Sequence, residues 1–290
     1  MNSISRKFDS LKKLMFTNKL TQPQILGDNI LLLATAPCVQ DFFEYESVRK
    51  QFEGYDLAFI NYMMVYSEQE VFIYKPKYFI LLDSIFYNDN YFPGTSFNPE
   101  KKKVVDILEK IDWECYLVTS VLADFGVKNK NIKYIRLSCF TMSYKKSLRF
   151  LFEKNIINCG IYNVIQGALY FAITFGYKNI AVLGCTYKNL EMFMDIDGLH
   201  ILEHNHYYDL ERKKIVITNE ELDNRERGFI ENIDKRAYVS SRILWDLKLY
   251  AKDHKCEITN YSQGSMIDAI KMGTLIKTKE IVASSDKVNI

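Results

Sequence analysis

Residues 30–34 read Ile-Leu-Leu-Leu-Ala, 78–82 read Tyr-Phe-Ile-Leu-Leu, and 180–183 read Ile-Ala-Val-Leu. Runs this short and this continuously apolar are strands buried on both faces, since a half-exposed strand or a surface helix would interleave polar positions. Comparable segments at 57–60, 116–119, 134–137 and near 257–259 extend the series. Helical spacing fills the intervals 42–53, 99–111, 144–154, 161–176 and 231–252. Buried strands alternating with helices predict a doubly wound, mostly parallel α/β sheet.

A length of 290 residues suits one such domain spanning 1–290. The hydrophobic share of 48% and charged share of 26% exclude a disordered chain and a disulfide-stapled miniprotein. With 38 Lys and Arg against 36 Asp and Glu, the net charge of +2 excludes a dedicated nucleic-acid binder. No stretch approaches the roughly 18–20 apolar residues of a membrane span. The opening Met1-Asn-Ser-Ile-Ser-Arg-Lys lacks a signal-peptide core, so a cytoplasmic protein is expected. Segment 4–20 reads as an amphipathic helix with Phe8, Leu11, Leu14 and Met15 on one face. Asp9 interrupts its basic side, which favours a packed lid over an anionic membrane surface; the apolar face suits a homo-oligomer or a peripheral membrane contact equally well. Cys38, Cys115, Cys139, Cys159, Cys185 and Cys256 form no CxxC pair, so buried reduced thiols are expected.

In open α/β sheets ligands bind beyond the carboxyl ends of the strands, which directs attention to the residues after each run. Thr35, Ala36 and Pro37 follow the first, a small-residue turn that lets a phosphate approach backbone N–H groups, or an ordinary tight turn. Asn61 follows the second run and Asp83 the third; each suits a base or ribose contact, and each suits helix capping. Gly184 and Thr186 follow the sixth and lead to Tyr187. From 187 to 231 no strand or helix pattern is evident, and this stretch reads as a lid or acceptor loop. It holds His200 and the run Glu203-His-Asn-His-Tyr-Tyr-Asp209, in which His204 and His206 would project to one side of an extended chain. Imidazole suits proton transfer near neutrality. Asp195 and Asp197 have the DxD form of a metal-diphosphate site, although two acids so spaced also arise by chance. There is no GxGxxG, P-loop, GxSxG or HExxH.

Several fragments in order resemble bacterial CMP-sialic acid-dependent sialyltransferases and the related core of flagellin-glycosylating motility accessory factors. They are Leu31-Leu-Leu-Ala-Thr-Ala-Pro-Cys38, Asp56-Leu-Ala-Phe-Ile-Asn61, the stretch 162–187 with its Gly-Tyr-Lys before a strand and Gly184, His204-Asn-His-Tyr-Tyr-Asp209, and Asn260-Tyr-Ser-Gln-Gly-Ser-Met-Ile-Asp268. The resemblance implies a Rossmann-like, variant GT-A fold and an inverting, metal-independent transfer of a sialic acid-like or Kdo-like residue from CMP to a glycan acceptor. It implies nucleotide contacts from Thr35, Ala36 and Pro37, from Asn61 and from the turn with Gly264 and Ser265; Asp83, Asn163, Gly184 and Thr186 complete the expected nucleotide-binding set. Where the sialyltransferases carry a histidine before their last long helix, this chain reads Asp234-Lys-Arg-Ala-Tyr238. The base is therefore expected from His206 or His204, with Tyr187, Tyr207 or Tyr208 stabilising the departing phosphate. The expected cofactor set is none. The alternatives are a Mg²⁺-dependent phosphotransferase like the pterin pyrophosphokinases, using Asp83, Asp195 and Asp197, and a non-catalytic scaffold of the same fold.

Overall fold

The computed structural model describes residues 20–88, 98–186, 193–196, 199–204, 213–217 and 229–278. Its strands are β1 (Asn29–Leu33), β2 (Asp56–Ile60), β3 (Tyr78–Leu81), β4 (Cys115–Ser120), β5 (Ile132–Leu137), β6 (Asn179–Leu183), β7 (Phe193–Ile196), β8 (Leu199–His204), β9 (Lys213–Ile217), β10 (Glu257–Asn260) and β11 (Lys271–Met272). Its helices are α1 (Gln40–Glu44), α2 (Glu46–Gln51), α3 (Tyr62–Tyr66), α4 (Glu68–Tyr74), α5 (Pro99–Lys110), α6 (Arg149–Glu153), α7 (Val164–Thr174) and α8 (Phe229–Asp253). Eight strands form one sheet in the order β11-β10-β6-β1-β2-β3-β4-β5, and every neighbouring pair is parallel. The doubly wound, Rossmann-like α/β expectation is borne out.

Successive side chains of each strand enter opposite cores. Ile30 and Leu32 of β1 and Ile80 of β3 pack beneath α7 and α8, among Leu169, Phe171, Leu247 and Tyr250. Leu31, Leu33, Phe79 and Leu81 face the other way, against Phe42, Val48, Met63, Val71 and Leu108 from the helices α1 to α5. Each fully buried side chain of this size contributes about 1.5–3 kcal/mol. Helix α7 is buried from Ile165 through Thr174, held between the sheet and α8. Asn163 caps its first turn, and the Gln166 side chain answers by accepting the Asn163 N–H.

Three features differ from expectation. The stretch 187–231 is not devoid of regular structure: β7, β8 and β9 form a three-stranded antiparallel sheet, and α8 starts at Phe229. Helices α3 and α4 were not foreseen, because 62–66 (Tyr-Met-Met-Val-Tyr) is apolar all round and has no polar face to reveal its period. Strand β11 is two exposed residues long and carries no apolar signal. The proposed opening helix at 4–20 lies outside the described residues apart from Leu20. Among the described residues no helix is long and apolar enough to cross a membrane.

At the amino ends of the strands, the Tyr177 hydroxyl lies 2.6 Å from both Asp56 Oδ2 and the Tyr78 hydroxyl. Lys77 Nζ donates to the same Asp56 oxygen at 2.7 Å. Burial, then the adjacent carboxylate, keeps the Tyr177 phenol protonated far above its ordinary range. The cluster ties β2, β3 and the approach to β6 together at the amino ends of the strands, away from their carboxyl ends. Tyr177→Phe, which leaves Asp56 short of one donor, should lower the free energy of unfolding by about 1–3 kcal/mol in urea titration.

Candidate functional site

Strand β1 runs between β2 and β6, and the chain winds outward from β1 to β5 before returning to β6 on the other side. This reversal is the topological switch point, where adjacent loops part and leave a crevice. A cleft of about 640 Å³ opens beside it, along the carboxyl ends of β1, β2 and β3. That volume is in the range of small-ligand sites, roughly 300–1,000 Å³. Thr35, Asn61, Asp83 and Asn163 all line it. Four positions picked from widely separated segments thus share one wall. Ala36 and Pro37 continue the β1 turn beside Thr35, with the Ala36 N–H held by the Gly184 carbonyl.

Asn61 has the least ordinary geometry. It joins β2 directly to α3 with φ 48° and ψ −121°, a region that residues with a Cβ rarely enter. Its N–H is spent on the Ile80 carbonyl at 2.9 Å. Its side-chain oxygen is shut off from solvent and meets no hydrogen-bond donor among the described residues. A buried amide oxygen without a donor costs about 1–3 kcal/mol. Asp83 accepts the Ile85 N–H at 3.3 Å and so caps a turn of 3₁₀ helix, while its exposed carboxylate still borders the cleft. Asn163 Oδ1 is committed to the Ile165 N–H. With Tyr162 and Val164 it brings the positive end of α7 to the cleft wall.

Sequence reasoning missed the aromatic lining. Tyr62, Tyr87 and Tyr162 border the cleft, and Tyr162 is 50% exposed. Tyr62 packs edge-on to Phe86 at 4.9 Å. Burial pushes the Tyr87 phenol above its ordinary range, opposed by a hydrogen bond with Ser120. The available signal was adjacency: Tyr62 follows Asn61, and Tyr162 precedes Asn163.

The β6 side of the switch point is a closed joint, outside the cleft lining. Asn260 Nδ2 and the Ser265 hydroxyl both donate to the Cys185 carbonyl, and the Met266 N–H takes that of Thr186. Ser265 Oγ also accepts from Asn260 Nδ2 at 2.8 Å and from the Ile267 N–H at 3.3 Å. One donor and two acceptors are all a hydroxyl has, so Ser265, expected to contact a nucleotide, has its hydrogen-bonding capacity engaged in the turn. Gly264, at φ +73°, makes that turn. Burial pushes the Cys185 thiol up to about 12, in keeping with an inert structural cysteine.

Of the expected catalytic set, His204 is the last residue of β8, opposite Lys213 in the register. His206, Tyr187, Tyr207 and Tyr208 lie outside the described residues. Asp195 sits on β7 opposite His200, and Asp197 lies outside the described residues. Among the described residues no three His, Cys, Asp or Glu side chains converge as a metal site. Compared with protein-family models, with curated proteins and with solved structures, the chain finds no match in any of the three.

Gly184 fixes how closely β1 and β6 approach at the cleft's edge. Its φ is +81°, and a Cβ there would lie 2.2 Å from the Ala34 carbonyl oxygen. Gly184→Ala should therefore cost roughly 2–4 kcal/mol in chemical denaturation, from the left-handed backbone and the forced parting of the strands.

Proposed function

We propose that this chain is a glycosyltransferase that moves a CMP-activated nonulosonic or ulosonic acid onto a glycan acceptor in surface-polysaccharide or glycoprotein assembly. What supports the reading is the meeting of Thr35, Asn61, Asp83 and the α7 N-terminus in one cleft at the strand ends. It agrees in kind and position with the expected nucleotide-binding set. Asn61 lines the cleft at the end of β2, where the resemblance implies a nucleotide contact. The Asp83 carboxylate accepts from ribose hydroxyls and would repel a phosphate, which belongs instead at the positive end of α7. Tyr162 offers an exposed ring for the base to stack on.

In this reading an acceptor hydroxyl attacks the anomeric carbon, His206 or His204 takes its proton, and CMP departs. Hydroxyls of Tyr187, Tyr207 or Tyr208 and backbone N–H groups stabilise the charge on the leaving phosphate. CMP at about 100 times its dissociation constant should add roughly 2.7 kcal/mol of stability, seen as a thermal shift that EDTA leaves unchanged. A shift only with UDP or ATP plus Mg²⁺ overturns the proposal in favour of the metal-dependent phosphotransferase; silence across all nucleotides favours the scaffold.

Two variants test the roles. Asn61→Gly relieves the backbone and removes the orphaned oxygen, so the ligand-free protein should hold or gain about 1 kcal/mol of stability. CMP affinity should fall at least about tenfold in the same protein, the cost of one lost hydrogen bond in a dry site. Unchanged CMP affinity would take Asn61 out of the nucleotide site. His206→Ala should cut transfer by about two to four orders of magnitude with CMP binding intact; wild-type turnover would leave His204 as the base to test.

A further inference from the structure

We propose that the outward face of α8 is a docking surface for an anionic membrane. Helix α8 buries Ile243, Leu244, Leu247 and Tyr250 against the core. The opposite side, which a surface helix normally makes polar, carries Tyr238, Trp245 and Leu249 at 64%, 43% and 51% exposure. Separations of seven and four residues place the three on one stripe.

From Tyr238 to Lys252 every charged residue that is fully exposed is basic. They are Arg242, Lys248 and Lys252, and Lys255 is exposed just past the helix end. Asp246 and Asp253 are half-buried: Asp246, beside Arg242, accepts the Tyr144 N–H at 3.1 Å, and Asp253 accepts the Tyr144 hydroxyl at 2.6 Å. Among the described residues no ion pair engages Lys248, Lys252 or Lys255. Lys248 Nζ instead sits 4.2 Å above the Trp245 ring. The Arg242 guanidinium donates to the Ser143 hydroxyl.

An apolar stripe with an aromatic residue at its centre and lysines along its borders is the arrangement of a helix lying in a membrane interface. The rings and Leu249 enter the headgroup boundary while the ammonium groups reach anionic lipid. A nucleic acid would use the cations and give Leu249 no partner, and the chain's overall charge of +2 offers it no wider field. The inference stands on α8 alone and does not depend on the proposed activity.

Flotation of the full chain with vesicles tests it. Vesicles of phosphatidylcholine mixed with phosphatidylglycerol should carry the protein, neutral phosphatidylcholine vesicles should not, and high salt should release it. Lys248→Gln combined with Lys252→Gln should weaken partitioning roughly 30-fold, two lysines at about 1 kcal/mol each. Trp245→Ala with Leu249→Ala should weaken it through the apolar contact. All four side chains are exposed, so thermal melting of both variants should match the parent and serves as the folding control. No binding to the mixed vesicles, equal binding to neutral ones, or wild-type partitioning of either variant overturns the proposal. Capture by immobilised polyglutamate without vesicle binding assigns the face to an acidic protein partner instead, and a dimer without vesicle binding assigns it to a second copy.

Discussion

Because every pairing in the main sheet is parallel, each of its central strands must be covered on both sides, and polar chemistry is driven to the strand ends. The alternation at β1 makes the point: Ile30 and Leu32 go to one core, Leu31 and Leu33 to the other, and none has a face left for a ligand. Polar side chains therefore appear where the backbone leaves the sheet. Asn61 and Asp83 do so one residue after β2 and two after β3, and Thr35 two after β1. The position of the cleft is a product of the sheet's double burial and of the reversal of strand order beside β1.

The same physics decides what could be read from the chain. The strands with continuous apolar runs were legible because runs such as Ile-Leu-Leu-Leu-Ala and Ile-Ala-Val-Leu are short, rich in branched aliphatic residues and bounded by polar or glycine positions. The antiparallel strands β7 to β9 were not, since Phe193-Met-Asp-Ile and Lys213-Lys-Ile-Val-Ile mix charge and apolar residues without clean alternation. In the cleft, proximity to a strand end found Thr35, Asn61 and Asp83, but it carries no information about which hydrogen bonds a side chain has already made. Ser265 lies five residues after β10, and its hydroxyl is engaged by Cys185, Asn260 and Ile267. Asn163 shows the converse: its cap could be read from Asn163 and Gln166 three residues apart, whereas its place on the cleft wall depends on how α7 packs.

Gln166 links two surfaces that the chain separates by many residues. Its oxygen accepts the N–H groups of Tyr162 and Asn163 at the cleft wall, and its amide nitrogen donates to the Ser240 carbonyl and hydroxyl on α8. All of these bonds are buried or partly buried, where leaving any one unmade is expensive. The rim of the cleft and the outer helix are thereby set at one fixed angle, with α7 as the beam between them.

The pairing of β1 with β6 carries a consequence for assembly. Asn29 lies opposite Asn179, so this central contact closes a loop of 150 residues, and the loop-closure entropy is met before the pairing returns anything. The half from β1 to β5 can condense first, as each of its strands pairs with the next in sequence. Until residue 183 arrives, β1 is an open edge of Ile-Leu-Leu-Leu with unpaired backbone groups on one side, the kind of edge that adds foreign strands. During synthesis, the hazard to this chain lies in the interval between the emergence of β1 and the emergence of β6.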